Sequence, residues 1–163
     1  MALFRKPLIE GIGGGRFAIR LREEERELLA SLPRQLRELV DGSADDPWLR
    51  RLFPPAYHQR EDADKQTEWH RLMGEDLVVR RREQLDVLAS TASATELDEE
   101  QVMVWAQALN DLRLYLGTRL DVSEDTDLDD YAEDDPDHSL YMLYGWLSYI
   151  QDSVITALSA QDR

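Results

Sequence analysis

The sequence predicts a mainly helical (all-α) fold, a bundle of four to five helices preceded by a short β-hairpin. Two observations support this prediction. After residue 22, apolar residues recur at spacings of three and four along four long stretches, which is the periodicity of one face of an α-helix. Before residue 22, two short segments flank a glycine-rich run at 11–15, as the strands of a hairpin do. The length of 163 residues suits a single domain over 1–163.

The hairpin is expected to occupy residues 1–22, with Leu3–Ile9 and Phe17–Leu21 as its strands. A helical pattern begins at Glu23. Pro33 falls inside that pattern, and because proline lacks an N–H and crowds the preceding turn, it predicts a kink or a break there. The apolar face of this first helix comprises Leu28, Leu29, Leu32, Leu36, Leu39 and Val40.

Four further helices are indicated downstream. Asp46-Pro47 combines a capping residue with a proline, a typical start for a short helix. A long helix is expected from about Asp64 to Ala92. Asp98 and Gln101 have capping-box spacing and predict the start of the next helix. The last helix is expected from about Asp137 to Ala160. Its apolar face comprises Leu140, Tyr144, Leu147, Val154 and Leu158, widened by Leu143, Ile150 and Ile155.

Negative charge is concentrated in the C-terminal part of the chain. Residues 94–163 carry 3 basic and 17 acidic residues, within a net charge of −15 for the whole chain. Ten of those acids and no base lie in 121–137. Like-charge repulsion therefore predicts a solvated loop there, between the helices of 23–120 and the C-terminal helix of 138–160. Residues 1–22 instead carry five basic residues and one acidic residue.

Two motifs resemble ligand-binding loops but lack essential residues. The glycine run Gly11–Gly15 contains no Gly-Lys-Ser/Thr and precedes a strand-like segment, so it predicts a hairpin turn and not a phosphate-binding loop. The Asp-x-Asp-x-Asp motif at 125–129 starts like a calcium loop. Its sixth position is Asp130 where glycine is needed, and its twelfth is Pro136 where a bidentate Glu is needed.

No constellation of residues predicts catalysis. The chain has no cysteine, which excludes thiol nucleophiles and zinc–thiolate sites. His58, His70 and His138 fall in three separate segments, without the spacing that places two ligands on one helical face. We therefore expect a non-enzymatic protein with no catalytic residue, no cofactor and no metal.

The helix that follows Asp98 contains the most informative polar residues. Asn110, Asp111 and Arg113 interrupt an otherwise apolar stretch, and a buried arginine needs acceptors. One interpretation is a structural polar network that ties this helix to the hairpin or to the last helix, with Asp111 or backbone carbonyls holding Arg113. The other is an exposed recognition patch that includes Arg119.

Two groups of arginines are candidates for nucleic-acid contact. Arg16 and Arg20 lie in the basic hairpin, and Arg80, Arg81 and Arg82 form a cluster on the long helix. Acidic residues flank the cluster and predict ion pairs within the same helix. The net charge of the chain also disfavours DNA, because binding to phosphates depends on cationic side chains that displace counterions.

The N-terminal sequence does not predict a secretory signal. Residues 1–8 have no apolar core behind their basic residues, and no stretch approaches the roughly 20 apolar residues of a membrane span. We expect a cytoplasmic protein that does not interact with membranes.

Several segments resemble a known protein family. The likeness spans nearly the whole chain and is carried by Asp46–Tyr57, Leu97–Val102, Leu109–Leu114, Leu116–Val122 and Tyr144–Gln151. They are similar to a long-uncharacterised actinobacterial family, now labelled as an oxidative-stress transcriptional regulator (AosR-like), whose genes often lie near that of the ClpS protease adaptor.

The resemblance implies a regulator in a stress response, one that contacts the transcription machinery. This chain departs from the redox part of that description, because without cysteine it cannot sense oxidants through a disulfide. We therefore expect action through a protein partner. Two alternatives are direct DNA binding through the hairpin and Arg80–Arg82, and an adaptor role in Clp-type regulated proteolysis. The sequence leaves the oligomeric state open.

Overall fold

The computed structural model of the protein describes residues 6–42, 63–120 and 138–161. Within these ranges the chain forms three strands and four helices, and the predicted mainly helical fold with an N-terminal hairpin is confirmed. The elements are β1 (Ile9–Gly13), β2 (Arg16–Ile19), α1 (Glu23–Gly42), α2 (Ala63–Thr91), β3 (Glu96–Asp98), α3 (Glu99–Arg119) and α4 (His138–Gln161). The short helix predicted at Asp46-Pro47, the motif at 125–129 and the acidic segment 121–137 lie outside the described residues.

The strands form one antiparallel sheet in the order β1-β2-β3. The hairpin turns at Gly14 and Gly15, whose φ angles of +64° and +71° favour glycine. The first strand is displaced from the predicted Leu3–Ile9, because β1 begins at Ile9 and continues to Gly13, whose φ of +88° also favours glycine. The sequence did not predict β3, since three residues are too few to show an alternating pattern.

The predicted break at Pro33 is not found, because Pro33 lies inside α1, a continuous helix of 20 residues. The Pro33 side chain is fully buried. Burial of the ring offsets the free-energy cost of the hydrogen bond that proline cannot donate. Leu29 and Leu36 face the core as predicted, whereas Leu28 is exposed.

The core lies around α3, which packs between α2 and α4, while α1 packs on α2 and the sheet contacts α3 and α4. Helix α3 starts at the predicted capping box, in which the N–H of Gln101 donates to the Asp98 side chain and the N–H of Asp98 donates to the Gln101 side chain. In α4, Ile155 is exposed although we expected it to face the core. The fully buried side chains include Phe17, Leu29, Leu88, Leu97, Trp105, Leu109, Leu147, Ile150 and Val154.

Arg26 joins the sheet to two helices, a role that the sequence did not predict. Its guanidinium donates to the carbonyls of Ile19 at 3.0 Å, Leu21 at 3.1 Å, Ala92 at 3.0 Å and Ala94 at 2.6 Å. Hydrogen bonds from a charged donor are stronger than neutral ones. Arg26 therefore fixes the position of α1 against the end of β2 and against the connection from α2 to β3.

Candidate functional site

Arg113 connects α3 to α4. Its Nε donates to Ser148 Oγ at 3.0 Å, and its Nη1 donates to Gln151 Oε1. The guanidinium also lies over the ring of Tyr144, 5.6 Å from the ring centroid, close enough for a cation–π interaction. Three residues of α4 thus hold one arginine of α3, and the network lies between two helices of the same chain.

Three further residues of α3 belong to this contact. Gln151 Nε2 lies 3.5 Å from the carbonyl oxygen of Ala106 and 3.5 Å from Asn110 Oδ1. Gly117 leaves space for the Tyr144 ring, because a Cβ there would lie 3.1 Å from Tyr144 Cε2. Asn110 and Arg113 therefore face α4, whereas Arg119 is exposed in the last turn of α3.

Asp111 faces the opposite flank of α3 and is not the acceptor of Arg113, contrary to our expectation. Two residues along a helix correspond to about 200° around its axis, so side chains at 111 and 113 diverge. Asp111 Oδ1 instead accepts a hydrogen bond from Arg81 Nη1 of α2 at 2.7 Å. Its Oδ2 is buried and has no hydrogen-bond partner among the described residues. Burial raises the pKa of Asp111 to about 6, although the charge of Arg81 acts to lower it.

The three consecutive arginines at 80–82 of α2 do not form one cationic face. Arg80 is exposed, whereas Arg81 and Arg82 are partly buried, because successive helical residues point about 100° apart. Arg81 pairs across to Asp111 of α3, a contact between helices that the sequence did not predict.

The two arginines of the hairpin lie in ion pairs on the solvent face of the sheet. Arg16 Nη2 lies 3.1 Å from Glu96 Oε2 of β3, and Arg20 Nη2 lies 2.7 Å from Glu10 Oε2 of β1. Arg20 Nη1 also donates to the carbonyl of Pro7 at 2.8 Å. Both guanidiniums thus have a carboxylate beside them, which reduces the positive charge that they present to solvent.

A groove of about 290 Å³ runs between β1 and the last turns of α4. We call it the β1–α4 groove. Its lining includes Pro7, Ile9, Glu10 and Gly11 on one side and Ala157, Ala160 and Gln161 on the other. Glycine and alanine leave space where two elements approach, and this is the signal in the sequence from which the groove could have been found. It was missed because nothing in the sequence places β1 beside α4.

The floor of the groove includes one edge of the sheet. Leu8 C=O accepts from Arg20 N–H at 2.8 Å, and hydrogen-bonded pairs alternate along an antiparallel ladder. Residues 8 and 10 therefore direct their main-chain groups towards β2, whereas residues 9 and 11 direct theirs away from it. The N–H and C=O of Gly11 accordingly point away from β2. Gly11 is exposed, and no described residue forms a hydrogen bond with these groups. Ile9, two residues earlier, is only 3% exposed and forms the apolar end of the floor.

The described part of the chain contains neither a metal-binding cluster nor a membrane-spanning helix. Among the side chains that the structure describes, no three His, Asp or Glu are grouped so that they could hold a metal ion. None of the helices in the described ranges is long and apolar enough to cross a bilayer.

Comparisons with known proteins identify a family but no characterised relative. Neither the curated proteins nor the solved structures gave a match to the chain. A family model matches residues 4–158, which include all three strands, α1 to α3 and most of α4. The chain therefore belongs to DUF2017, a family described as a domain of unknown function.

Proposed function

We propose that the protein is a non-enzymatic regulatory domain that acts by binding a protein partner, with the β1–α4 groove as its binding site. The observation that carries the proposal is the exposed edge at Gly11 beside an apolar groove. Unpaired main-chain groups at a sheet edge are a template for another chain. A cavity of about 290 Å³ is smaller than most sites for drug-sized ligands and cofactors.

The contacts of the polar residues of α3 support a structural role for these residues. The groove therefore remains as the candidate binding site. Asn110 and Arg113 are engaged with α4, and Asp111 with α2. A side chain held between helices is not free to contact a partner or a substrate.

The arrangement of charges supports a protein partner over DNA. Arg16, Arg20 and Arg81 each have a carboxylate within 3.1 Å, and the chain has a net charge of −15. Direct DNA binding requires cations that are available to phosphates. The resemblance to AosR-like regulators points to a partner in the transcription machinery, and this identity is part of the proposal.

A pull-down with two matched variants tests the proposal. Ala160→Trp places a large side chain in the groove, whereas Ser159→Trp places the same side chain one residue away, at a position that does not line it. Both positions are exposed on α4, so both variants should fold. We expect a polymerase subunit, a sigma factor or another regulatory protein to be retained by the wild-type chain and by Ser159→Trp, and to be lost from Ala160→Trp.

The same samples separate the alternatives. Retention of the same proteins by all three forms would exclude the groove as the site. Retention of Clp subunits would favour the adaptor role. Random duplex DNA that binds with a salt slope of about −3 or steeper, the value for three or more phosphate contacts, would contradict action through a protein partner.

A further inference from the structure

We infer that the occupant of the β1–α4 groove is an extended segment of the partner that pairs with Gly11 and inserts one aliphatic side chain into the groove, next to an acidic residue. This inference rests on the proposed function and specifies the chemistry of the ligand at that site. Its three parts are a main-chain match, a side-chain match and a charge match.

The main-chain match comes from Gly11. Its N–H and C=O point away from β2 and the residue is exposed, so a residue of an extended segment can donate its N–H to the Gly11 carbonyl and accept from the Gly11 N–H. Such strand addition to a sheet edge is a common mode of peptide recognition. The pairing is short, because Ile9 is buried on one side and the ladder becomes irregular between Gly11 and Gly13 on the other.

The side-chain match comes from the groove itself. Gly11 and Ile9 both line it, and α4 contributes the methyl groups of Ala157 and Ala160. Side chains of a strand alternate between the two faces of a sheet, so a paired segment places a single residue over this floor. A cavity of about 290 Å³ accommodates one or two aliphatic side chains, and no lining residue on α4 carries a charge.

The charge match comes from Lys6. It is exposed and adjoins Pro7 at one end of the groove, and no described carboxylate forms an ion pair with it. The one acidic residue of the lining, Glu10, is paired with Arg20. An acidic segment is therefore attracted to this end and repelled elsewhere by a chain of net charge −15. The same net charge disfavours a second copy of the chain as the occupant.

The test starts with a random dodecapeptide library displayed on phage and panned against the full chain. An enriched peptide is then synthesised with a fluorescent label, and its affinity is measured by anisotropy. We expect a consensus of one aliphatic residue beside Asp or Glu. Methylation of the backbone nitrogen that pairs with Gly11 should weaken binding about tenfold or more, because it removes that hydrogen bond. Methylation of the nitrogen on either side should change the affinity by less than about twofold.

Two substitutions of Gly11 isolate the main-chain contact. Gly11→Pro removes the N–H, and proline is tolerated at an edge position whose N–H points outward. Gly11→Ala keeps the N–H and adds the same Cβ, whose nearest neighbours in both variants are atoms of the flexible Gln161 side chain, with Nε2 at 3.0 Å. We expect Gly11→Pro to lose binding by about tenfold relative to Gly11→Ala, with both variants showing the wild-type circular dichroism spectrum.

A charge exchange isolates the contact at Lys6. Lys6→Glu should weaken binding of the acidic peptide about fivefold, and replacing the acidic residue of the peptide by Lys should restore it. The inference is overturned by equal binding to Gly11→Pro and Gly11→Ala, by a methylation scan without a single sensitive position, by a basic or helical consensus, or by no enrichment at all. Concentration-dependent dimers that Gly11→Pro abolishes would identify a second copy as the occupant and would also overturn it.

Failure of this inference can be told apart from failure of the proposed function. If a protein is retained by the wild-type chain and lost from Ala160→Trp while no peptide is selected, the groove binds a partner by another chemistry and only the inference fails. If Ala160→Trp changes neither the pull-down nor peptide binding, the groove is not the site and both fail.

Discussion

Arg81 Nη1 of α2 lies 2.7 Å from Asp111 Oδ1 of α3, so that two long helices are joined by an ion pair in which the Asp111 side chain is 9% exposed. The second oxygen of that carboxylate has no hydrogen-bond partner among the described residues. Burying a charged carboxylate with only one oxygen hydrogen-bonded has a free-energy cost. Because protonation removes that charge, the stability of the protein should depend on pH.

The stability contributed by Asp111 should increase as the pH falls from 7 towards 4. Burial raises the pKa of Asp111 from 3.8 to about 6, so between these values the folded state binds the proton more tightly than the unfolded state does. The free energy of unfolding should therefore rise on acidification, by up to about 3 kcal/mol from this group.

Urea denaturation of the wild-type chain and of Asp111→Asn at several pH values isolates this effect, since the other carboxylates titrate in both. We expect the wild-type chain to gain stability relative to the variant from pH 7 to pH 5. A difference between the two that stays constant over that range would show that the pKa is not raised.

Replacing Arg113 should loosen the contact between α3 and α4. Arg113→Ala leaves the acceptors on Ser148 and Gln151 without their donor and removes the contact with Tyr144. We expect a loss of about 3 kcal/mol in the free energy of unfolding, measured by thermal or urea denaturation. Arg113→Lys should not restore it, because an ammonium lacks the planar geometry that reaches both acceptors.

The matched control for Arg113 is Arg119→Ala, which changes an exposed arginine on the same helix. It should shift the stability by less than about 0.5 kcal/mol. If Arg113→Ala behaves like Arg119→Ala, the polar contact does not stabilise the pair of helices.

Arg26→Ala should be among the most destabilising single substitutions. It leaves four carbonyl oxygens in three segments without the donor that they share, with an expected cost of about 3 kcal/mol or more. Arg34→Ala, which removes an exposed arginine from the same helix, should cost less than about 0.5 kcal/mol. Equal denaturation midpoints for the two variants would contradict a structural role for Arg26.

Gly14→Ala should destabilise the hairpin by about 1 kcal/mol, because its φ of +64° is unfavourable for a residue with a Cβ. A Cβ at this position meets nothing within 4 Å, so the effect isolates the backbone conformation from packing. Hydrogen exchange measured at β1 and β2 provides the readout. Unchanged protection of both strands would contradict the assignment of the turn to Gly14 and Gly15.

The sequence determined those features that depend on residues close together along the chain. Asp98 and Gln101 are three residues apart and form the capping box that we predicted. The apolar spacing that begins at Val102 places Trp105 and Leu109 in the core, because a helical period orients residues three and four apart towards the same side. The glycines of the hairpin likewise mark a turn, since a positive φ is a local property of the backbone.

Only the tertiary structure decided which distant residues meet. Asp111 and Arg113 are two residues apart, yet one pairs with α2 and the other with α4, and the identity of each partner depends on which helices flank α3. Arg26 binds carbonyls up to 68 residues away, and backbone carbonyls carry no signature in the sequence. The β1–α4 groove exists because the end of the last helix packs beside the first strand. Periodicity specifies which face of a helix is apolar, but not which element covers that face.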